Sequence, residues 1–319
     1  MVYSLKVRGG LSYLDAEKPR IVMYCGKGGV GKTTSASATA LHFAKKGEST
    51  LLISTDPTPS LSDILEVDVR GEVTPIKKVN GLNAVELDYE LVVERWRERF
   101  GKEVYEVISS FLPVGEEILD YVAGAPGIDE EFALSYILEL YESGDYGVIV
   151  WDTAPAGGTL SLVKLQDKFY RHLGEAAQLY ARVRRALEAL LKGTAKRDPM
   201  EIIAMWEQLA QRVLEMLRDK RTHAIVVTIS EALGVRQTER VVKELEAFGL
   251  SISKILVNYV VTEDICKCDF HRQRTEMQEK YLQMLKERYG DRPGIAIVPQ
   301  MPQEVKGISS IEKVEQLLF

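Results

Sequence analysis

A chain of 319 residues with 45% hydrophobic and 28% charged content is long enough for a large core and has the composition of an ordinary soluble globular protein. Its formal net charge of -6 argues against a nucleic-acid partner, because binding a phosphate backbone needs a basic face. No stretch approaches the roughly 20 apolar residues of a membrane span, no signal segment opens the chain, and three cysteines make no disulfide framework. The expectation is a cytoplasmic protein.

Residues 1–18 read as an N-terminal extension. Ile21–Cys25 is then a short apolar run of buried-strand type. After it, Gly26-Lys27-Gly28-Gly29-Val30-Gly31-Lys32-Thr33-Thr34 fits the G-x-x-x-x-G-K-[ST] pattern in full. The following residues to Lys46 have helical composition, with Ala36, Ala40, Leu41 and Ala44 on one face. A strand, a tight glycine loop and a helix N-terminus are the setting a phosphate-binding loop requires. The glycines let successive N–H groups point inward as an anion nest, backed by the positive end of the helix dipole. Lys32 would reach the β and γ phosphates of ATP, and the Thr33 hydroxyl would ligate Mg2+.

Further apolar strands are predicted at Thr50–Ser54, Val148–Trp151, Ala224–Ile229, Ile252–Val257 and Ile295–Val298. Strands alternating with helices imply an α/β fold with a doubly wound, mainly parallel sheet, whose sites line the carboxyl ends of the strands. Asp56, Asp152 and Asn258 fall at or just past such ends. Asp152 occupies the place of a magnesium-shell carboxylate acting through water, which leaves Asp56 to orient or activate the attacking water. Gly157-Gly158 suggests a loop that rearranges when the γ phosphate leaves.

Two blocks, about 89–142 and 165–221, break the rhythm and read as an inserted helical subdomain. In the first, Trp96, Phe100, Val104, Val107 and Phe111 follow steps of three and four. In the second, Asp198-Pro199 supplies an N-cap and a first-turn proline. The apolar stripe from Ile202 to Leu217 that follows is too wide for one seam. It must be covered on more than one side, either by packing within the subdomain or by an apolar partner helix lying in a groove. Near the C-terminus, Cys266 and Cys268 beside His271 look like metal ligands.

The two-lysine loop resembles the deviant phosphate loop of the class that includes the nitrogenase iron protein, the chromosome-partition and septum-placing ATPases and the arsenite-pump ATPase. Four further motif groups narrow the resemblance to one branch. They are Ser54-Thr55-Asp56-Pro57 with Leu61-Ser62-Asp63, Asp152-Thr153-Ala154-Pro155 with Thr159-Leu160, Ser230-Glu231 with Thr238-Glu239-Arg240, and Val257-Asn258. That branch holds the arsenite-pump type ATPases and the single-domain factors that deliver tail-anchored membrane proteins in the guided-entry pathway. The likeness runs from about Pro19 to the C-terminus, which makes 19–319 the ATPase domain.

The resemblance implies a homodimer in which Lys27 reaches across to the phosphates of the opposite subunit, the device of an arginine finger. It further implies Asp56 as the water-activating group, Asn258 with Pro299 and Gln300 as the adenine site, and Glu239 as a nucleoside contact. Apolar helices of client membrane proteins, and a membrane receptor, are the implied partners. In the targeting factors two ligands from each subunit share one Zn2+ upstream of a run matched here by Met277–Leu282. Counting back without gaps places those ligands on Cys268 and His271, with Cys266 as an alternative. This chain departs from the family at Thr58-Pro59-Ser60, where Ala-His-Asn is usual, and at Gly158, where the family has His. Those departures put in doubt how nucleotide state is coupled to conformation. Two other functions stand as alternatives: the energising subunit of an arsenite or anion efflux system, and a partition or septum-type switch. The single phosphate loop and the lack of cysteine between Cys25 and Cys266 count against the first. The second calls for a basic C-terminal helix, whereas Ser309–Phe319 holds one Lys against two Glu.

Overall fold

The apolar runs form strands, and the helical segments between them return the chain so that the strands lie parallel. The computed structural model describes residues 10–56, 58, 60–111, 115–123, 128–153, 199–261 and 268–319. In chain order the described elements are α1 (Leu14–Glu17), β1 (Ile21–Gly26), α2 (Lys32–Lys45), β2 (Thr50–Ser54), α3 (Leu61–Leu65), β3 (Thr74–Pro75) and β4 (Leu82–Glu86). Then come α4 (Tyr89–Phe111), α5 (Ile118–Ala123), α6 (Ile128–Ser143), β5 (Val148–Asp152), α7 (Pro199–Arg218) and β6 (Thr222–Ile229). The last are α8 (Ala232–Ala247), β7 (Ile252–Val260), α9 (Asp269–Tyr289), β8 (Ile295–Pro299) and α10 (Ile308–Leu318). The described residues within 1–88, 140–159 and 217–319 form one compact unit, and those within 89–139 and 160–216 a second.

In the first unit the described strands make one sheet in the order β3-β4-β2-β5-β1-β6-β7-β8. Only the β3–β4 pair is antiparallel. The chain winds outward from β1 in both directions, so the glycine loop leaves the sheet at the point where ligands bind in doubly wound folds. The doubly wound α/β reading of the sequence therefore holds. β1, β2 and β5 are buried along their whole lengths, as expected of parallel strands covered on both faces. On one face Val22, Tyr24, Leu52, Val150 and Ile225 pack in a cluster with Ala36, Ala40 and Leu41 of α2 and Ile311, Val314 and Leu318 of α10. Alanines on α2 let that helix sit close to the sheet, which fixes the phosphate loop at its start.

In the second unit, Trp96, Phe100 and Val104 of α4 are buried at the steps of four seen in the sequence. On α7, Val213 and Met216 are buried, whereas Met205 is 51% exposed. Among the described residues no helix is long and apolar enough to cross a membrane. The expectations for Pro57, Pro59, Gly157, Gly158 and the block 165–198 lie outside the described residues.

Candidate nucleotide site

The loop between β1 and α2 is shaped by glycines that nothing larger could replace. Gly31 has φ 96°, and a Cβ there would lie 2.1 Å from Nδ2 of Asn258, so both backbone and space exclude a side chain. Gly26, at the end of β1, approaches the Val227 carbonyl so closely that a Cβ would lie 2.3 Å from its oxygen. Asn258, near the C-terminal end of β7, donates from Nδ2 to Val30 O at 2.9 Å. The amide thereby holds the loop from beneath. Val30 is buried, while Lys27, Gly28 and Gly29 are exposed. Lys32 is only 4% exposed; its ammonium lies 3.7 Å from Asp56 Oδ2 and donates to Lys27 O at 3.3 Å.

Strand register brings the polar groups into one row. Glu86, Ser54, Asp152 and Tyr24 pair side by side across β4, β2, β5 and β1. Ser54 donates to Asp152 Oδ2 at 3.3 Å. Oδ1 of the same buried carboxylate has no hydrogen-bond partner among the described residues. Burial pushes Asp152 up to about 6, against the pull of the neighbouring Thr33 hydroxyl and Lys32 ammonium. Asp56 closes a turn on itself, Oδ1 accepting from Thr58 N at 3.0 Å, with Oδ2 turned to Lys32. Thr33 Oγ1 meets Ser60 Oγ at 3.2 Å. Hydroxyl oxygens beside a buried carboxylate oxygen with an open lone pair form a hard-oxygen donor set, which fits Mg2+. Thr33 and Asp152 would hold that ion, and its chemistry would be to neutralise charge on the β and γ phosphates.

The remaining candidates are distributed around this centre. Thr34 is half-buried in the first turn of α2. Lys27 borders a recess with Glu231, Leu233, Gly234 and Gln237, whose lining includes neither Lys32 nor Asp152. Pro299 ends β8, and the N–H of exposed Gln300 donates to Val260 O at 3.0 Å, next to the strand end that carries Asn258. Glu239, on α8, forms an ion pair with Arg288 of α9. Cys268 and His271 converge at the start of α9, Sγ and Nδ1 2.9 Å apart. Cys266 lies outside the described residues. Among those described, no group of three or more His, Cys, Asp and Glu could hold a metal.

Two residues that shape the site were given no role in it from the sequence. Glu86, 2% exposed, holds the start of α3. The turn dipeptide Asn80-Gly81 before Leu82, Ala84 and Val85 is the signal that would have marked its strand. Gln278, 3% exposed, accepts from Val261 N at 2.8 Å and donates to Tyr259 O at 2.9 Å. It braces β7 where the pairing with β8 becomes irregular between Val257 and Val260 and Tyr259 takes a left-handed φ of 56°.

A lysine buried under a glycine nest, with carboxylates at neighbouring strand ends, defines a P-loop nucleotide hydrolase. The family described as Anion-transporting ATPase matches residues 19–319, and the chain belongs to it. "ATPase GET3" of Pyricularia oryzae is 30% identical, over 96% of this chain and 92% of that protein. "ATPase ASNA1 homolog 2" of Paramecium tetraurelia is 30% identical over 92% and 91%. "ATPase get3" of Neurospora crassa is 30% identical over 96% and 92%. The protein is thus an ATPase, the activity that the family and these relatives carry in their names.

Proposed function

We propose that the protein is a homodimeric, Mg2+-dependent ATPase whose nucleotide-driven opening and closing binds and delivers apolar helices of tail-anchored membrane proteins. In this reading Lys32 and the loop N–H groups of Gly26 to Thr34 cradle the phosphates, Thr33 and Asp152 serve Mg2+, and Asp56 positions the water. Lys27 acts on the opposite subunit; its exposure at the rim of the loop supports that role. Asn258 keeps a second N–H and its carbonyl oxygen for adenine while one N–H holds Val30. Pro299 ends the neighbouring strand opposite Val260 with Gln300 following it, and Glu239 would have to leave Arg288 to meet the nucleoside.

The observation that carries client binding is the apolar stripe of α7, on which Met205 is 51% exposed and Trp206 half-buried. Flexible Met side chains suit a surface that accepts varied apolar helices. The test is co-purification of the full chain from its native cytosol with peptide identification. Enrichment of proteins bearing a single C-terminal apolar helix is expected. Recovery of none, from protein that hydrolyses ATP, would overturn client delivery and leave the ATPase standing.

Cys268 and His271 are proposed as half of a zinc site shared by two subunits, since thiolate and imidazole suit Zn2+ and a closed site needs four ligands. Metal analysis should give about half a zinc per chain, and a chelator should move nucleotide-free protein toward monomer. A His271→Ala variant that keeps full zinc would overturn this ligand assignment.

A further inference from the structure

A serine at an N-cap position ordinarily folds its hydroxyl back onto the second or third helical N–H. Ser60 stands at that position before α3 and makes no such bond. Glu86 does the capping in its place. Its Oε1 accepts from Ser60 N at 2.7 Å and Leu61 N at 2.8 Å, and its Oε2 from Ser62 Oγ at 2.8 Å and Ser62 N at 3.4 Å. These donors satisfy a carboxylate that is 2% exposed, the condition under which a buried charge is tolerated. With the helix start already capped, the Ser60 hydroxyl is released for another partner, and it meets Thr33 Oγ1 at 3.2 Å.

That meeting point is the candidate magnesium position. Thr33 is the hydroxyl ligand of the reading above, and its hydroxyl acts on the carboxyl of buried Asp152, whose Oδ1 lacks a partner among the described residues. Octahedral Mg2+ with bonds of about 2.0–2.1 Å sets adjacent ligand oxygens about 2.9 Å apart. The Thr33–Ser60 spacing is close to that edge. We propose that Ser60 supplies a second protein hydroxyl to the magnesium shell and that Glu86 is the positioning residue that frees it. The proposal rests on the Mg2+-dependent reading and extends it to a side chain that replaces the asparagine usual in the resembling family.

The full-length protein loaded with ADP is titrated with Mn2+ and followed by electron paramagnetic resonance. Ser60→Ala should weaken Mn2+ binding about tenfold, the scale of losing one supporting group at a metal site. Line broadening by 17O-enriched water should show an added water on the ion. Ser60→Thr, which keeps the hydroxyl, should stay near wild type in both readouts. Glu86→Gln should weaken Mn2+ in the same direction as Ser60→Ala. A Ser60→Ala variant with wild-type affinity and an unchanged water count overturns the proposal, and unchanged affinity in Glu86→Gln overturns the positioning half. Because the Ser60 variants leave the Glu86 cap in place, they decide the ligand question even if Glu86→Gln fails to fold. Wild-type protein with ADP that binds no Mn2+ overturns the magnesium reading beneath the proposal.

Discussion

At the C-terminal end of α2, His42 is 7% exposed and partnered at both ring nitrogens. Nδ1 lies 2.8 Å from Glu315 Oε1 and Nε2 3.0 Å from Asp15 Oδ1, while the ring stacks on Phe319 with centroids 3.6 Å apart. Lys45 and Lys46 add ion pairs to Glu312 and Asp15. Ten residues earlier, about 15 Å along the helix, the bonding is incomplete. Lys32 meets Asp56 only at 3.7 Å, and Asp152 keeps a buried oxygen without a partner among the described residues. Leaving such an oxygen unsatisfied costs about 1–3 kcal/mol, a cost that a bound cation would remove. Buried polar side chains of α2 thus serve packing at one end, while at the other Lys32 faces carboxylates whose hydrogen bonding is incomplete.

The largest effects should come from the open end. Lys27→Ala should keep nucleotide affinity within several-fold and lose turnover by about 10³ or more, the scale of a charge delivered by a partner subunit. Asp56→Asn should bind ATP and hydrolyse it about 10² to 10⁴ times more slowly, with no fall in melting temperature. Mixing the two inactive variants should restore one site per heterodimer. No recovery, once subunit exchange is shown, argues that Lys27 acts within its own subunit. The closed end should answer in stability alone. His42→Ala removes one partner from each of two carboxylates and a buried ring stacked on Phe319, and should cost about 1–3 kcal/mol in urea unfolding, with kcat unchanged in the folded protein. A His42→Ala enzyme that folds fully but hydrolyses ATP slowly would break the contrast between the two ends.

Much of this arrangement was legible from residues close together in sequence. Ile21–Cys25 before the glycine pattern announced β1, and the place of Asp152 after an apolar run marked it as a strand-end carboxylate. The six predicted strands are all present, because continuous apolar runs are what parallel strands with two covered faces require. β4 escaped because Leu82–Glu86 carries polar Asn83 and ends in Glu86, and β3 because it is two residues long and one is Pro75. Glu86 and Gln278 escaped for a different reason. A glutamate reads as surface until its donors at Ser60, Leu61 and Ser62 are brought to it by the fold, and periodicity carries no record of such pairings. The α7 stripe shows the same limit: its pattern marks the apolar face, yet Met205 is exposed and Val213 is not.

The amide of Gln278 also has a mechanical side. It sits ten residues into α9, about 15 Å from Cys268 at the helix start, and grips the strand end that carries Asn258 by one bond on each side of Val260. Ser230, at the end of β6, donates to the Gln278 carbonyl at 2.5 Å. A straight helix transmits tilt along its length as a rigid rod. Any force that tilts α9 at Cys268 and His271 must therefore drag the end of β7 with it or tear both amide bonds at once, at about 1 kcal/mol each. The helix is a lever with its load at Asn258.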